Sequence, residues 1–239
     1  MTEHTTTDHA LAHMDPFEPP PDLRTLVTQD GSRTLRSERI GEQYHSVHGA
    51  VQESMHVFIH AGLRALHASS MSVLEVGLGT GLNALLTLRE ARVRAVRVEY
   101  TALEPYPLPM ELLAAVDHPT ALDEPALREP FDRMMRAPIG TASVIDPCFT
   151  FSLLDRPVQA VDDTQCYDVI YFDAFGPAVQ PDMWTRDVFE RMHRALREGG
   201  LLVTYCAKGE VRRTMQAVGF RVERLPGPHG KREMLRAWR

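Results

Sequence analysis

The feature that most constrains this chain is one short stretch. Val73-Leu74-Glu75-Val76 is apolar enough for a buried strand, Gly77-Leu78-Gly79-Thr80-Gly81 follows at once, and Leu82-Asn83 opens a helical pattern. Three glycines at alternate positions let the backbone turn sharply and approach a ligand closely. The helix after them offers unpaired N–H groups. A dinucleotide fingerprint needs GxGxxG, but the position three after Gly79 is Leu82. That spacing disfavours an NAD-dependent dehydrogenase.

The rest of the chain alternates strand and helix patterns. Strands are expected at 97–103, 149–154, 167–172, 201–206, 220–225 and 232–238. Helices are expected at 49–67, 82–91, 106–116, 120–136, 187–197 and 209–218. This order implies a three-layer α/β fold with a mostly parallel sheet and an antiparallel C-terminal hairpin. Residues 1–22, with Thr5-Thr6-Thr7 and Pro19-Pro20-Pro21, read as a disordered tail. Residues 23–70 read as a hairpin and a helix that cover a ligand pocket, and residues 71–239 as the main domain. The 43 residues from 105 to 147 are a long excursion expected to shape the substrate entrance.

Ligands in such folds bind beyond the carboxyl ends of the strands. Glu104 closes the second strand, where a carboxylate can accept both hydroxyls of a ribose; Glu99, inside that strand, is its rival. Asp155 follows the third strand and is placed to accept from an adenine amino group. Asp173 ends the fourth strand, Tyr167-Asp168-Val169-Ile170-Tyr171-Phe172, where a transferred group would lie. An acid there suits chemistry at an amine, which must lose a proton to expose its lone pair. At an ordinary pKa near 4, Asp173 is expected to orient and stabilise rather than to take the proton fully.

Several sites are disfavoured. Cys148, Cys166 and Cys206 have no CxxC spacing, so neither a disulfide framework nor a zinc site is implied. His9 and His13 in the tail, and Glu53, His56 and His60 on the first helix, read as tail and edge residues rather than metal ligands. The sequence has no secretory signal and no apolar run of the roughly 20 residues that a membrane span needs. A cytoplasmic protein with no metal and no membrane partner is the expectation.

The E-x-G-x-G-x-G spacing at 75–81 resembles the first motif of class I S-adenosylmethionine-dependent methyltransferases. Longer segments narrow this: D-G-S-x-T at 30–34, Y-H-S at 44–46, G-A-x-x-E-S at 49–54, Y-F-D-A-F-G-P at 171–177, P-D-M-W-T at 181–185 and G-K-R-E-M at 230–234. Together they resemble the tRNA 5-methylaminomethyl-2-thiouridine methyltransferase family, MnmD, the methyltransferase part of MnmC, over about residues 25–238. The resemblance implies a Rossmann-like three-layer sandwich with a seven-stranded sheet. It implies S-adenosyl-L-methionine as cofactor and methyl transfer to the aminomethyl nitrogen of (2-thio)uridine at tRNA position 34, in the anticodon stem-loop. The cofactor would meet Glu75, Gly77, Gly79, Thr80, Gly81, Asn83, Glu104, Asp155 and Asp173, with Asp173 the catalytic position. Tyr44, Ser46, Glu53, Phe175 and Trp184 are placed toward the substrate. The chain is too short for the FAD-dependent oxidase of the fused relatives, so a separate enzyme would supply the aminomethyl group. The alternatives are an aminopropyl transferase of the spermidine-synthase type and a non-catalytic RNA-binding protein.

Net charge is −6, which on its face argues against a nucleic-acid partner. Its distribution reverses that reading. Residues 194–239 carry +7 and residues 1–193 carry −13. Lys208, Arg212, Arg213, Lys231 and Arg232 are therefore expected to meet tRNA phosphates.

Overall fold

The structure is a computed structural model and describes residues 22–38 and 41–239. The tail, apart from Asp22, lies outside the described residues, and with it His9 and His13. The chain opens with a small antiparallel sheet of β1 (Leu23–Val27), β2 (Arg33–Ser37) and β3 (Glu42–Gln43). Its first turn is held by Asp30, whose Oδ1 accepts from Thr28 Oγ1 at 2.7 Å and from the Ser32 N–H at 3.0 Å. The single helix expected at 49–67 is instead three short pieces. They are α1 (Ala50–Ser54), a π-helical turn over Met55–His60 and a 3-10 turn over Leu63–Ala65. The wider turn keeps Val57, Phe58 and Ile59 buried while His56 Nε2 reaches the Pro226 carbonyl at 2.8 Å.

The main domain begins with β4 (Ser70–Val76), α2 (Leu82–Arg94) and β5 (Arg97–Leu103). The excursion then holds α3 (Met110–Val116), α4 (His118–Ala121) and α5 (Arg128–Met135) in place of the two longer helices expected. Two left-handed residues, Asp117 and Asp123, and the prolines at 119 and 125 break the run. There follow β6 (Ser143–Asp146), β7 (Phe149–Leu154), β8 (Tyr167–Phe172), α6 (Arg186–Ala195), β9 (Leu196–Thr204), α7 (Gly209–Ala217), β10 (Arg221–Pro226) and β11 (Glu233–Trp238). Sheet order is β10-β11-β9-β8-β4-β5-β7-β6. The seven expected strands all form, and β6 is an eighth, paired antiparallel to β7 at the far edge. The C-terminal hairpin is antiparallel as expected. Gly199 and Gly200 lie inside β9, where the pairing with β8 shifts register.

Residues alternate between the two sheet faces, as a strand buried on both sides requires. Val169 and Tyr171 join Tyr100, Phe149, Phe151, and Leu85 and Leu88 of α2 in one apolar cluster. Ile170 and Phe172 join Trp184, Phe189, Met192 and Met215 in the other. The class I methyltransferase fold follows from this layering. The parallel strands β4, β5, β7 and β8 all end on the same edge, where β4 and β5 give way to the glycine loop and Glu104, and β8 to Asp173.

Candidate active site

A cavity of about 430 Å³ opens at that edge, within the ~300–1,000 Å³ typical of small-molecule sites. Its floor is the Val76–Thr80 loop, Leu103–Tyr106 and Asp173–Gly176. One wall is the N-terminal segment from Glu42 to His48 with Glu53 of α1, against which the Gly230-Lys231 turn packs, and the rest of the lining includes Val158, Met183 and Tyr205. Tyr44, Ser46, Glu53, Gly77, Gly79, Thr80, Glu104, Asp173 and Phe175 are therefore brought together around one cavity, and Lys231, expected at a phosphate, joins them there.

Each glycine of the loop has its own reason. All three have positive φ, at +88°, +51° and +77°. A Cβ on Gly77 would press on the Asp173 carbonyl at 3.0 Å, and one on Gly79 would meet the Tyr44 ring at 3.1 Å. A Cβ on Gly81 would stand 2.7 Å from Met135 at the end of α5. Gly81 thus packs against the excursion and does not line the cavity. The neighbouring Thr80 is held from the same side: its Oγ1 lies 2.7 Å from Nε2 of His118. His118 is fully buried, which pulls its pKa down to about 3, and His45 beside it is likewise pulled to about 4.

A chain of polar side chains runs beneath the floor. Asn83 Nδ2 donates to Asp173 Oδ2 at 2.8 Å and to Glu75 Oε1 at 2.9 Å, while Tyr100 OH donates to Glu75 Oε2 at 2.8 Å. Glu75 is fully buried, and that burial raises its pKa well above the carboxylate range. Neither Glu75 nor Asn83 lines the cavity. The expected direct cofactor contact is replaced by support: they hold Asp173 from behind. Burial pushes Asp173 to about 7, with Glu53 pushing the same way and Asn83 and Lys231 opposing. The reading of Asp173 as an ordinary weak carboxylate is thereby corrected; near neutrality it is poised to exchange a proton.

Glu104 is also raised to about 7 by burial, although backbone N–H groups favour its charged form. Its Oε2 accepts from Gly79 N at 3.1 Å and its Oε1 from Tyr106 N at 3.2 Å. Glu99, its rival, does not line the cavity. Asp155 is exposed and outside the lining, which here is Arg156, Pro157 and Val158. Trp184 is 6% exposed and packs on Phe172 and Phe189. Its Nε1 donates to the Phe175 carbonyl at 2.8 Å, so it braces the substrate-side loop rather than facing the cavity.

The basic C-terminal residues divide. Arg197 pairs with Asp168, Arg221 and Arg236 with Glu223, and Arg224 with Glu233. Lys231 pairs with Glu53 at 2.6 Å inside the cavity wall, so it does not stand ready for a phosphate. Lys208, Arg213 and Arg232 are exposed and Arg212 is partly so. Glu53, His56 and His60 form no metal cluster among the described residues. The sequence reasoning missed Tyr205, His45 and His118. Tyr205 follows the end of β9, an edge position that strand topology alone singles out; His45 stands inside the Y-H-S segment at 44–46, and nothing local marks His118.

Residues 151–239 match a family model described as S-adenosyl-L-methionine-dependent methyltransferase. The tRNA 5-methylaminomethyl-2-thiouridine biosynthesis bifunctional protein MnmC of Ralstonia nicotianae is 31% identical over 214 residues, covering 83% of this chain and 32% of that protein. The protein of the same name from Magnetococcus marinus is 33% identical over 215 residues, 85% of this chain and 32% of its own. The crystal structure of MnmC2 from Aquifex aeolicus superposes with a TM-score of 0.69 at 25% identity, over 93% of this chain and 72% of that one. Over most of its length the chain is similar to the MnmC-related methyltransferases. It spans about a third of the length of the curated MnmC relatives it matches. Spermidine synthase from Thermotoga maritima, at TM-score 0.60 and 16% identity over 90% of this chain and 68% of its own, shows the shared fold alone.

S-adenosylmethionine is the cofactor of the MnmC-related methyltransferases, and the residues here fit it. The cavity has the volume, and the glycine loop holds its backbone open at Gly77 and Gly79. Glu104 keeps lone pairs beyond its backbone donors for a ribose diol. Leu103, Val158 and Met183 supply apolar lining.

Proposed function

We propose that this chain methylates the aminomethyl nitrogen at C5 of (2-thio)uridine 34 in tRNA, giving 5-methylaminomethyl-(2-thio)uridine, and does so in the cytoplasm. One observation carries the reading: a carboxylate poised near pH 7, Asp173, stands on the cavity floor beside the glycine loop. When bound, the cofactor supplies an electrophilic methyl group on a sulfonium and leaves as a neutral thioether. Glu104 and the Gly77–Gly79 backbone would hold it. Asp173 aligns the substrate amine and takes its proton, which exposes the nitrogen lone pair for the new N–C bond. Tyr44 and Phe175, edge to face at 5.1 Å, wall the substrate side and keep water out. Most of the acceleration comes from holding nitrogen, methyl and sulfur in line. The segment from 23 to 70 acts as the pocket's cover. Lys208, Arg212, Arg213 and Arg232 meet the phosphates, and a separate enzyme makes the aminomethyl group beforehand.

Aminopropyl transfer, the alternative the sequence left open, is the reading that the experiment must exclude. The experiment offers the protein labelled S-adenosylmethionine with tRNA bearing aminomethyl-uridine and, separately, decarboxylated cofactor with putrescine. Methyl label in the wobble nucleoside supports the proposal. Transfer to putrescine with none to tRNA overturns it. Asp173→Ala should largely abolish methylation with little change in cofactor affinity, and near-normal turnover would remove Asp173 from the catalytic role.

A further inference from the structure

Besides Glu42 and Glu104, the cavity lining offers an alkylammonium the Asp173 carboxylate, the Glu53 carboxylate and the face of the Tyr205 ring. Lys231 occupies two of them. Its Nζ lies 2.6 Å from Glu53 Oε1 and 3.9 Å from the Tyr205 ring centroid. Both partners are themselves fixed. Glu53 Oε2 accepts from the Ser46 N–H at 2.7 Å, and Tyr205 OH donates to the Ala174 carbonyl at 2.8 Å, next to Asp173. The choice of residue matters as well. Lys208 and Lys231 are the only lysines beside 24 arginines. A compact ammonium fits a site that a planar guanidinium would overfill.

We propose that Lys231 is a positioning residue that fills the Glu53–Tyr205 cation site, so that a substrate amine is left to Asp173 beside the glycine loop. This rests on the amine methylation argued above. An aromatic face beside a carboxylate in a partly desolvated wall is a good cation site. Left empty, it would hold the substrate ammonium charged and away from the glycine loop. Filled, it repels a second cation and delivers the amine to the residue that takes its proton. The groups around Asp173 agree with this. Glu53 from α1, Tyr205 after β9 with Glu42 of β3 near it, and Glu75 of β4 with Tyr100 of β5 are all acids or phenols. Lys231, from the turn before β11, is the cation set against them.

The test compares wild type with Lys231→Met, Lys231→Arg and the double variant Glu53→Gln/Lys231→Met. Methylation of aminomethyl-uridine tRNA is measured across pH, with methylammonium chloride as competitor and tetramethylammonium chloride as salt control. In Lys231→Met, kcat should fall about tenfold with KM unchanged or lower, the acid limb should move to higher pH, and methylammonium should inhibit at concentrations about tenfold below those needed for wild type. In the double variant the cation site is gone, so methylammonium inhibition should return to the wild-type level and kcat should partly recover. A merely structural lysine gives no such rescue. Equal methylammonium sensitivity in wild type and Lys231→Met, or a double variant worse than the single, overturns the proposal. Failure of wild type to methylate the tRNA at all strikes the functional reading instead.

Discussion

Asn83 touches no substrate, yet its removal should move the pH dependence of the reaction. Its amide donates one hydrogen to Asp173 and one to Glu75. A hydrogen bond to an ionised group is worth about 1.5–3 kcal/mol net, and one to a neutral group about 0.5–1.5. Asn83 therefore favours the ionised form of Asp173 by about 1–1.5 kcal/mol, which is about one pKa unit. Burial already raises Asp173 to about 7. Loss of a donor that opposes this raise pushes the pKa further up, to about 8. The reactive form is the ionised one, so the acid limb of the rate should move to higher pH. At pH 7 the ionised fraction of Asp173 in Asn83→Ala falls from about one half to about one tenth, so kcat/KM drops about fivefold, and the loss should vanish by about pH 9. The assay is methyl transfer to an aminomethyl-uridine anticodon stem-loop from pH 5.5 to 9.5, with cofactor affinity and melting temperature measured alongside. Asp173→Asn, which cannot titrate, marks the floor of the profile. An acid limb in Asn83→Ala that stays in place or moves to lower pH refutes the reasoning.

Two further predictions use the same cavity and its surroundings. Glu104 must be ionised to accept both ribose hydroxyls, and its pKa is raised to about 7. Cofactor affinity, measured calorimetrically, should therefore rise between pH 6 and pH 8, and Glu104→Gln should bind about tenfold or more weakly with little pH dependence left. Neutralising Lys208, Arg212, Arg213 and Arg232 together should weaken tRNA binding and flatten its dependence on salt, by about one unit of log–log slope for each phosphate left without its cation. Weaker binding with an unchanged slope would place the phosphates elsewhere.

Much of the fold is legible because periodicity and turn chemistry are local. The alternation through β4, β5, β7 and β8 points to the parallel sheet, and strand ends then locate Gly77, Glu104 and Asp173 from chain order alone. The excursion is less legible. Two left-handed aspartates, Asp117 and Asp123, divide it, and short polar residues in that conformation are hard to tell from ordinary helix residues. β6 is a short edge strand whose partner, β7, decides its existence. Charge is least legible, because sequence shows a sign and the fold decides its use.

Lys231 illustrates the last point and carries it further. In the sequence it is one basic residue in a basic glycine-rich turn, which invites the phosphate reading. In the fold that turn is clamped against a segment some 180 residues earlier. His56 bonds the Pro226 carbonyl, His48 meets His229 ring to ring at 5.1 Å, and Glu53 takes Lys231. Gly230 is part of the clamp: at φ +85°, it leaves only 2.2 Å between a Cβ there and the His48 ring. The two ends of the chain thus build one wall of the cavity, opposite strands that come from its middle. A substitution at this seam acts on the charge around Asp173 as well as on packing. The seam variant Gly230→Ala should therefore disturb the pH profile of methylation together with stability, whereas an equally destabilising change in the β6 edge should lower stability alone.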